Sequence, residues 1–352
     1  MEKISNNVCT IVLDKGYEHF ESIIKENGTY DSILIISDSN VYNNQGNNFV
    51  KSLKSKIVYE YIVNPGEEAK SLDIYEQIIN YCVKVNLSRK SVVIALGGGV
   101  VGDLAGFIAS TYMRGIDLIQ VPTTLLAQVD SSIGGKTGIN IGNFKNIIGS
   151  FYQPKFTYIN VDALKTLPDD EFKCGMSEVI KYSLIYDYDF LDYLIDNSKD
   201  ILNKDNEKLY YIVKKCANIK AEVVAKDEKE SGLRKILNFG HTFGHGLEKL
   251  CKISHGNAIS IGMNMAFKIS LREGFIEEEY YNKFLKVCKA YDLPLNFDNE
   301  DEKSIFNIMK NDKKNSFSKI NLVLPIGLGK VEVVDNISED LILEIIKECK
   351  NA

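Results

Sequence analysis

Short β-rich runs separated by helical patterns fill the first half of this 352-residue chain, and that alternation restricts its fold more than any other feature. Segments 31–37 (DSILIIS), 57–63 (IVYEYIV), 91–96 (SVVIAL) and 117–121 (DLIQV) carry the branched and aromatic residues of strands. Segment 71–85 (SLDIYEQIINYCVKV) repeats its apolar residues at helical spacing. A helical crossover returns the chain to the same end of the sheet, so strands joined in this way run parallel. The expected fold class is α/β, with a mostly parallel, Rossmann-like N-terminal domain.

The third run leads into GGGVVGDLAGFIAS, where Gly97, Gly99 and Gly102 satisfy G-x-G-x-x-G between a strand and a helix. Glycines there let the backbone approach a pyrophosphate, whose charge is met by N–H groups at the helix start. The same glycines also serve a plain tight turn. The usual acidic partner is missing, since Asp117 precedes its strand instead of ending it. The turn points to a nucleotide, though not through the ordinary dinucleotide arrangement.

Beyond residue 169 the texture changes. Segments 190–202, 207–225 and 277–290 read as amphipathic helices, and only 320–324 and 329–334 as strands. The length exceeds what one core serves, so two domains are expected. They are 1–168, α/β, and 169–352, mainly helical, with the active site in the cleft between them.

A formal net charge of −6 argues against a nucleic-acid partner, although a basic pocket for a small anion is still allowed. Only four of the 42 basic residues are arginines, Arg89, Arg114, Arg234 and Arg272, so each one inside a motif draws attention as a planar anion-binding fork. No run reaches the ~20 apolar residues of a membrane helix. The opening MEKISNNVCTIVLDKG lacks the apolar core of a secretory signal. Seven scattered cysteines, never in C-x-x-C, fit reduced and mostly buried thiols. A cytoplasmic protein without membrane contact is expected.

Three of the four histidines crowd one stretch, LNFGHTFGHGLEKLCKISHGNA: His241, His245 and His255. A chain sparing with imidazole that clusters it points to a metal or proton-transfer site. His241 and His245 share a helix face, which makes both ligand candidates. Thr242 follows His241, so H-E-x-x-H is absent and a metalloprotease is excluded. The stretch VPTTLLAQVDSSIGGKTGINIGNFKN is dense in hydroxyls, glycines and amides, with Lys136 and Lys145 its only cations. That is the composition of a loop around a polyhydroxylated or phosphorylated ligand. Its leading VPTTLL reads as buried.

A series of motifs then carries a family resemblance. In order they are NPGEEAK, ALGGGVVGDLAGFIASTYMRGI, VPTTLLAQVDSSIGGKTGIN, FKNIIGSFYQP, GMSEVIKYSL, KDEKESGLRKILNFGHTFGHGLE, HGNAISIGM and NDKK. Through them the chain resembles the 3-dehydroquinate synthases of the sugar-phosphate cyclase superfamily. The resemblance implies an enzyme using NAD and a divalent metal, zinc or cobalt. Its substrate would be 3-deoxy-D-arabino-heptulosonate 7-phosphate, and its products 3-dehydroquinate and phosphate, on the shikimate route to chorismate and the aromatic amino acids. The implied steps are transient oxidation, β-elimination of phosphate, re-reduction and intramolecular aldol closure. A homodimer is implied as well.

The resemblance assigns the metal to Glu178, His241 and His255, replacing the His241–His245 pair. Two imidazoles and a carboxylate leave positions open for substrate. His245 is placed beside the substrate in a proton-relay or hydrogen-bonding role, with Asp130, Lys136, Lys181, Lys220 and Asn238 as further catalytic residues. Anion binding falls to Arg114, Lys136, Lys145, Asn146, Lys181, Lys220, Arg234, Asn238 and a lysine of NDKK, Lys313. For NAD the implied residues are Asp38, Asn40, Glu67, Lys70, Gly98, Gly99, Asp103, Thr123, Thr124, Asp130, Lys136, Lys145 and Thr166. Asp38 follows the strand ILIIS and supplies the acidic partner missing after the glycine turn. Asn257 stands where the family more often has glutamate. Cyclases closing other sugar phosphates, metal-dependent polyol dehydrogenases and a non-catalytic relative are the competing readings. Asn238 and His245 match the shikimate-pathway type, the lysines count against the dehydrogenases, and the retained ligands count against a non-catalytic protein.

Overall fold

The computed structural model describes all residues except 54–56, 143, 299, 311–319 and 352. Its strands in chain order are β1 (Glu2–Ser5), β2 (Thr10–Asp14), β3 (Ser32–Asp38), β4 (Ile57–Val63), β5 (Val92–Gly97), β6 (Asp117–Pro122), β7 (Lys136–Ile141), β8 (Phe144–Phe151), β9 (Phe156–Asn160), β10 (Leu322–Gly327) and β11 (Lys330–Val334). Seven of them form one sheet in the order β1-β2-β9-β6-β5-β3-β4, parallel throughout except for β1.

A parallel sheet covered on both faces needs apolar side chains at consecutive positions, and β3 and β5 supply them. Ile33 and Ile35 with Val92, Ile94 and Leu96 enter one core; Leu34 and Ile36 with Val93 and Ala95 enter the other. The first core is closed by helix Phe20–Asn27 and by Phe49, the second by helices Leu72–Lys84 and Gly99–Thr111. Ser71 caps the second of these helices through Ile74 N, which sets the start of the periodic segment.

Strand order reverses at β3, which has β4 on one side and β5 on the other. Ser37 pairs with Leu96 in that register, so Asp38 and the Gly97–Gly99 turn lie together at the carboxyl ends of adjacent strands. Open α/β sheets bind ligands at such a switch point.

Two compact units result: Met1–Phe172 with Leu209–Lys229, and Lys173–Lys208 with Glu230–Ala352. The change of unit falls inside helix Asp169–Ile185, and Leu209–Lys229 belongs to the first unit although it was expected in the second domain. Periodicity announces that helix but not the neighbour that takes its stripe. Here Asn6 donates to Ala221 O (3.0 Å) and Lys214 pairs with Glu2 (2.5 Å).

In the second unit the almost wholly buried helix His255–Arg272 packs on helices His241–Cys251, Glu278–Ala290 and Glu339–Glu348 and on β10, which pairs antiparallel with β11. Phe267 stacks on Phe284 with centroids 4.5 Å apart and meets Tyr280 edge-on. The expected helix 190–202 is two helices, Tyr188–Asp196 and Ser198–Leu202, broken at Asn197. Among the described residues no helix is long and apolar enough to cross a membrane.

Phe20, fully buried, touches the rings of Phe49, Tyr158 and Phe156. Phe20→Ala should lower stability by about 3–5 kcal/mol in denaturant titrations. A loss under about 1 kcal/mol would contradict the place of these early residues in the core.

Candidate active site

Helix Asp169–Ile185 carries Glu178, and the starts of two further helices carry His241 and His255. One ligand atom from each lies within 4.8 Å of the others. Nε2 of His241 is 3.5 Å, and Nε2 of His255 3.4 Å, from Glu178 Oε1. Glu178 is fully buried and pairs with Lys181 one turn on, equally buried. Burial disfavours protonated His255, yet hydrogen bonds and charge from Glu178 and Glu248 outweigh it and raise its pKa to about 9. The carboxylates thus favour positive charge at this point, and two imidazoles with one carboxylate are a donor set suited to zinc or cobalt.

Close helix contacts bring these residues together. Gly256 follows His255, and a Cβ on it would stand 2.4 Å from Cys174 Cα and O, so only glycine lets the helices touch there. Gly240, the N-cap of the His241 helix, has φ 78°, and its Cβ would meet Met263 Cγ at 2.7 Å. Ser254 caps the His255 helix by accepting from the backbone N–H of Asn257.

His245 stands beside the trio and outside it, its ring edge-on to His241 at 5.6 Å between centroids. Arg234 is buried on the turn Leu233–Asn238, and Asn238 donates to Glu230. Lys313 lies outside the described residues.

The first unit gathers a second set. Buried Lys70 donates to Asp103 Oδ2 (2.7 Å) and Asn146 Oδ1 (2.6 Å), with Glu67 at 3.6 Å. Desolvation works against its ammonium, but Asp103 and Glu67 prevail and raise its pKa. Lys220, also buried, donates to the carbonyl of Asp130 (2.6 Å) and pairs with its carboxylate (2.9 Å).

Gly98 caps helix Gly99–Thr111, and a Cβ there would stand 3.0 Å from Thr124 Cγ2; on Gly99 it would stand 3.0 Å from Ser131 Oγ. Thr123 N donates to Gly97 O, so Thr123 lies against the same turn. Thr123 Oγ1 and Ser131 Oγ are buried without a hydrogen-bond partner among the described residues. Each such hydroxyl costs about 1–3 kcal/mol, which a polar ligand oxygen would recover. A bare backbone turn with two waiting hydroxyls fits a nucleotide pyrophosphate.

Asp38 Oδ1 accepts from Asn40 N and Val41 N, holding the turn after β3. Thr166 accepts from Gln45 and lines a cavity of about 520 Å³ with Tyr17, Asn44 and Asn160. Arg114 is exposed at a left-handed turn (φ 69°). Lys136 and Lys145 are exposed on β7 and β8, a hairpin where a loop was expected.

Sequence reasoning passed over Asn140, Ser131 and Glu248. Asn140 donates to Glu67 (2.8 Å) and accepts from Asn146 N (2.8 Å), tying the Lys70 group together. Glu248 lies 3.4 Å from His255 Nδ1. Its position, seven after His241 and three after His245, is a helical-face signal legible in HTFGHGLE.

Comparison with known proteins identifies the family. Residues 60–174 match the 3-dehydroquinate synthase N-terminal family model and 175–315 the C-terminal one. The chain belongs to the 3-dehydroquinate synthase family. It is 43% identical over 339 residues to the 3-dehydroquinate synthase of Caldanaerobacter subterraneus subsp. tengcongensis, covering 95% of both chains. To that of Alkaliphilus metalliredigens it is 46% identical over 314 residues, 88% of both. Among solved structures, 2-deoxy-scyllo-inosose synthase complexed with carbaglucose-6-phosphate, NAD⁺ and Co²⁺ is similar at 28% identity, TM-score 0.87, over 99% of both chains. The 2-epi-5-epi-valiolone synthase of Streptomyces hygroscopicus subsp. jinggangensis, at 22% identity and TM-score 0.90 over 99% and 98%, shares the fold. The family thus confirms an α/β nucleotide-binding domain followed by a helical one.

Gly256→Ala should separate the helices that carry Glu178 and His255. We expect about 1–3 kcal/mol lost in denaturant midpoint analysis, together with a reduced metal content by elemental analysis. Unchanged values of both would show that the contact with Cys174 does not hold the trio.

Proposed function

We propose that this chain catalyses the 3-dehydroquinate synthase reaction, converting 3-deoxy-D-arabino-heptulosonate 7-phosphate to 3-dehydroquinate and phosphate, with NAD and a divalent metal as cofactors. The observation that carries the reading is the convergence of Glu178, His241 and His255 in a chain of this family. When bound, the metal contributes Lewis acidity toward substrate hydroxyls and NAD contributes reversible hydride transfer.

The chain's own residues do the rest. Glu178, His241 and His255 hold the metal. The glycine turn with Thr123, Thr124 and Ser131, and Asp38 at the switch point, hold the nucleotide. Glu67, Lys70, Asp103 and Asn146 are already bonded to one another, so they offer a preset polar wall with little reorganisation on binding. Lys181, Lys220, Arg234 and the lysines of the hairpin match the carboxylate and phosphate of the substrate. His245, one turn from His241, would move a proton at the substrate. Asp130 holds the Lys220 side chain in place through their ion pair.

The reading includes a cytoplasmic homodimer. Seven free cysteines, six of them buried, suit a reducing compartment. Light scattering should give twice the chain mass.

The deciding experiment measures phosphate release from the heptulosonate phosphate. Chelator should abolish it, and zinc or cobalt should restore it. A full rate in metal-free protein would overturn the reading. Because the net reaction is redox-neutral, a trace of NAD should support many turnovers without net NADH absorbance, whereas stoichiometric NADH would favour a dehydrogenase.

Arg234 is buried, so its fork is desolvated. Arg234→Lys should reduce kcat/KM by about 2 kcal/mol of transition-state stabilisation, because a point charge does not replace a bidentate fork. Steady-state kinetics at two salt concentrations check this. An unchanged kcat/KM would remove Arg234 from the site.

A further inference from the structure

Both ligand imidazoles present the same edge to Glu178. Nε2 of each faces Glu178 Oε1, and each Nδ1 is held from behind. For His241 the holder is a backbone oxygen, Phe239 O, at 3.1 Å. For His255 it is a side chain, Glu248 Oε2, at 3.4 Å. The difference follows from where the residues sit. His241 folds back on the turn that precedes its helix, while His255 opens the next helix and meets the end of the previous one. Glu248 lies on that previous helix, three residues before its last residue Cys251. Its side chain is 19% exposed, so water competes little for the contact.

We propose that Glu248 is a positioning residue of the metal centre, accepting the Nδ1–H of His255 and so keeping the Nε2 lone pair directed at the Glu178 side. The inference rests on the reading of Glu178, His241 and His255 as metal ligands. A free imidazole can carry its proton on either nitrogen and can rotate about its side-chain bonds. An acceptor behind Nδ1 selects one tautomer and one ring orientation, and a carboxylate acceptor also makes the ring a better donor. Glu248 is not itself a fourth ligand, since it stands on the nitrogen away from Glu178.

Two variants of similar volume separate orientation from bulk. Glu248→Gln keeps an acceptor oxygen, and Glu248→Leu removes it. Cobalt affinity is measured by competition with a chromophoric chelator, and ligand geometry by the visible spectrum of the cobalt form. Melting of the metal-free proteins reports whether each variant folds. Glu248→Leu should bind cobalt about 10–100-fold more weakly, with a changed spectrum. Glu248→Gln should keep the wild-type spectrum and lose less affinity. Wild-type affinity and spectrum in Glu248→Leu would overturn the proposal, as would a Glu248→Gln loss as large as that of Glu248→Leu. If Glu248→Leu does not fold, Glu248→Gln decides through its spectrum. A His255→Ala variant that binds cobalt as tightly as wild type would instead refute the metal site itself, whatever Glu248 does.

Discussion

The approach of Gly256 to Cys174 is the contact that sets Glu178 against His255. Glu178 lies one turn beyond Cys174 on the same helix face, and His255 adjoins Gly256. Two backbones in van der Waals contact therefore bring a carboxylate and an imidazole to 3.4 Å. Helices with ordinary side chains at the crossing stand 8–10 Å apart between axes, about what a Leu or Ile at the contact requires. The chain reaches a closer approach by placing a residue without Cβ next to the functional one. Gly240 before His241 repeats the device.

The same logic of pre-set polar groups runs through both units. Lys70 with Asp103, Lys220 with Asp130, and Lys181 with Glu178 are ion pairs whose lysines are buried. Such pairs add little to net stability, because desolvation offsets most of their attraction. Charges fixed in advance in this way would cost no reorganisation if a ligand bound beside them, as the proposed function requires.

Much of the scaffold was legible because its signals are local. The helix Leu72–Lys84 has its cap and its period within 71–85, and β3, β5 and β6 are consecutive apolar runs. β2, in the stretch TIVLD, went unread although it pairs with β9 inside the sheet, and β9 went unread with it. Both are only five residues long, and the helix Phe20–Asn27 that follows β2 spans just eight residues, too few turns for its period to stand out in the sequence. Gly, Asn and Lys disfavour strands, so the composition of the β7–β8 segment predicts a loop. It pairs nonetheless, with Gly138 opposite Gly149, where close backbones leave no room for a side chain.

The sequence by itself determined the family, the α/β plan, the glycine turn and the three residue types that meet at the metal site, because motif order and short-range periodicity are properties of neighbouring residues. The family resemblance already names Glu178 in place of His245; the tertiary structure brings it within 4.8 Å of His241 and His255, and it decided that Leu209–Lys229 belongs with the first unit, that Asn140 binds the Lys70 group together and that Glu248 backs His255. Helical spacing alone favoured His241 with His245, since both lie on one face. The choice between His245 and Glu178 depends on which helix crosses nearby, and that is set by packing between segments far apart in the chain.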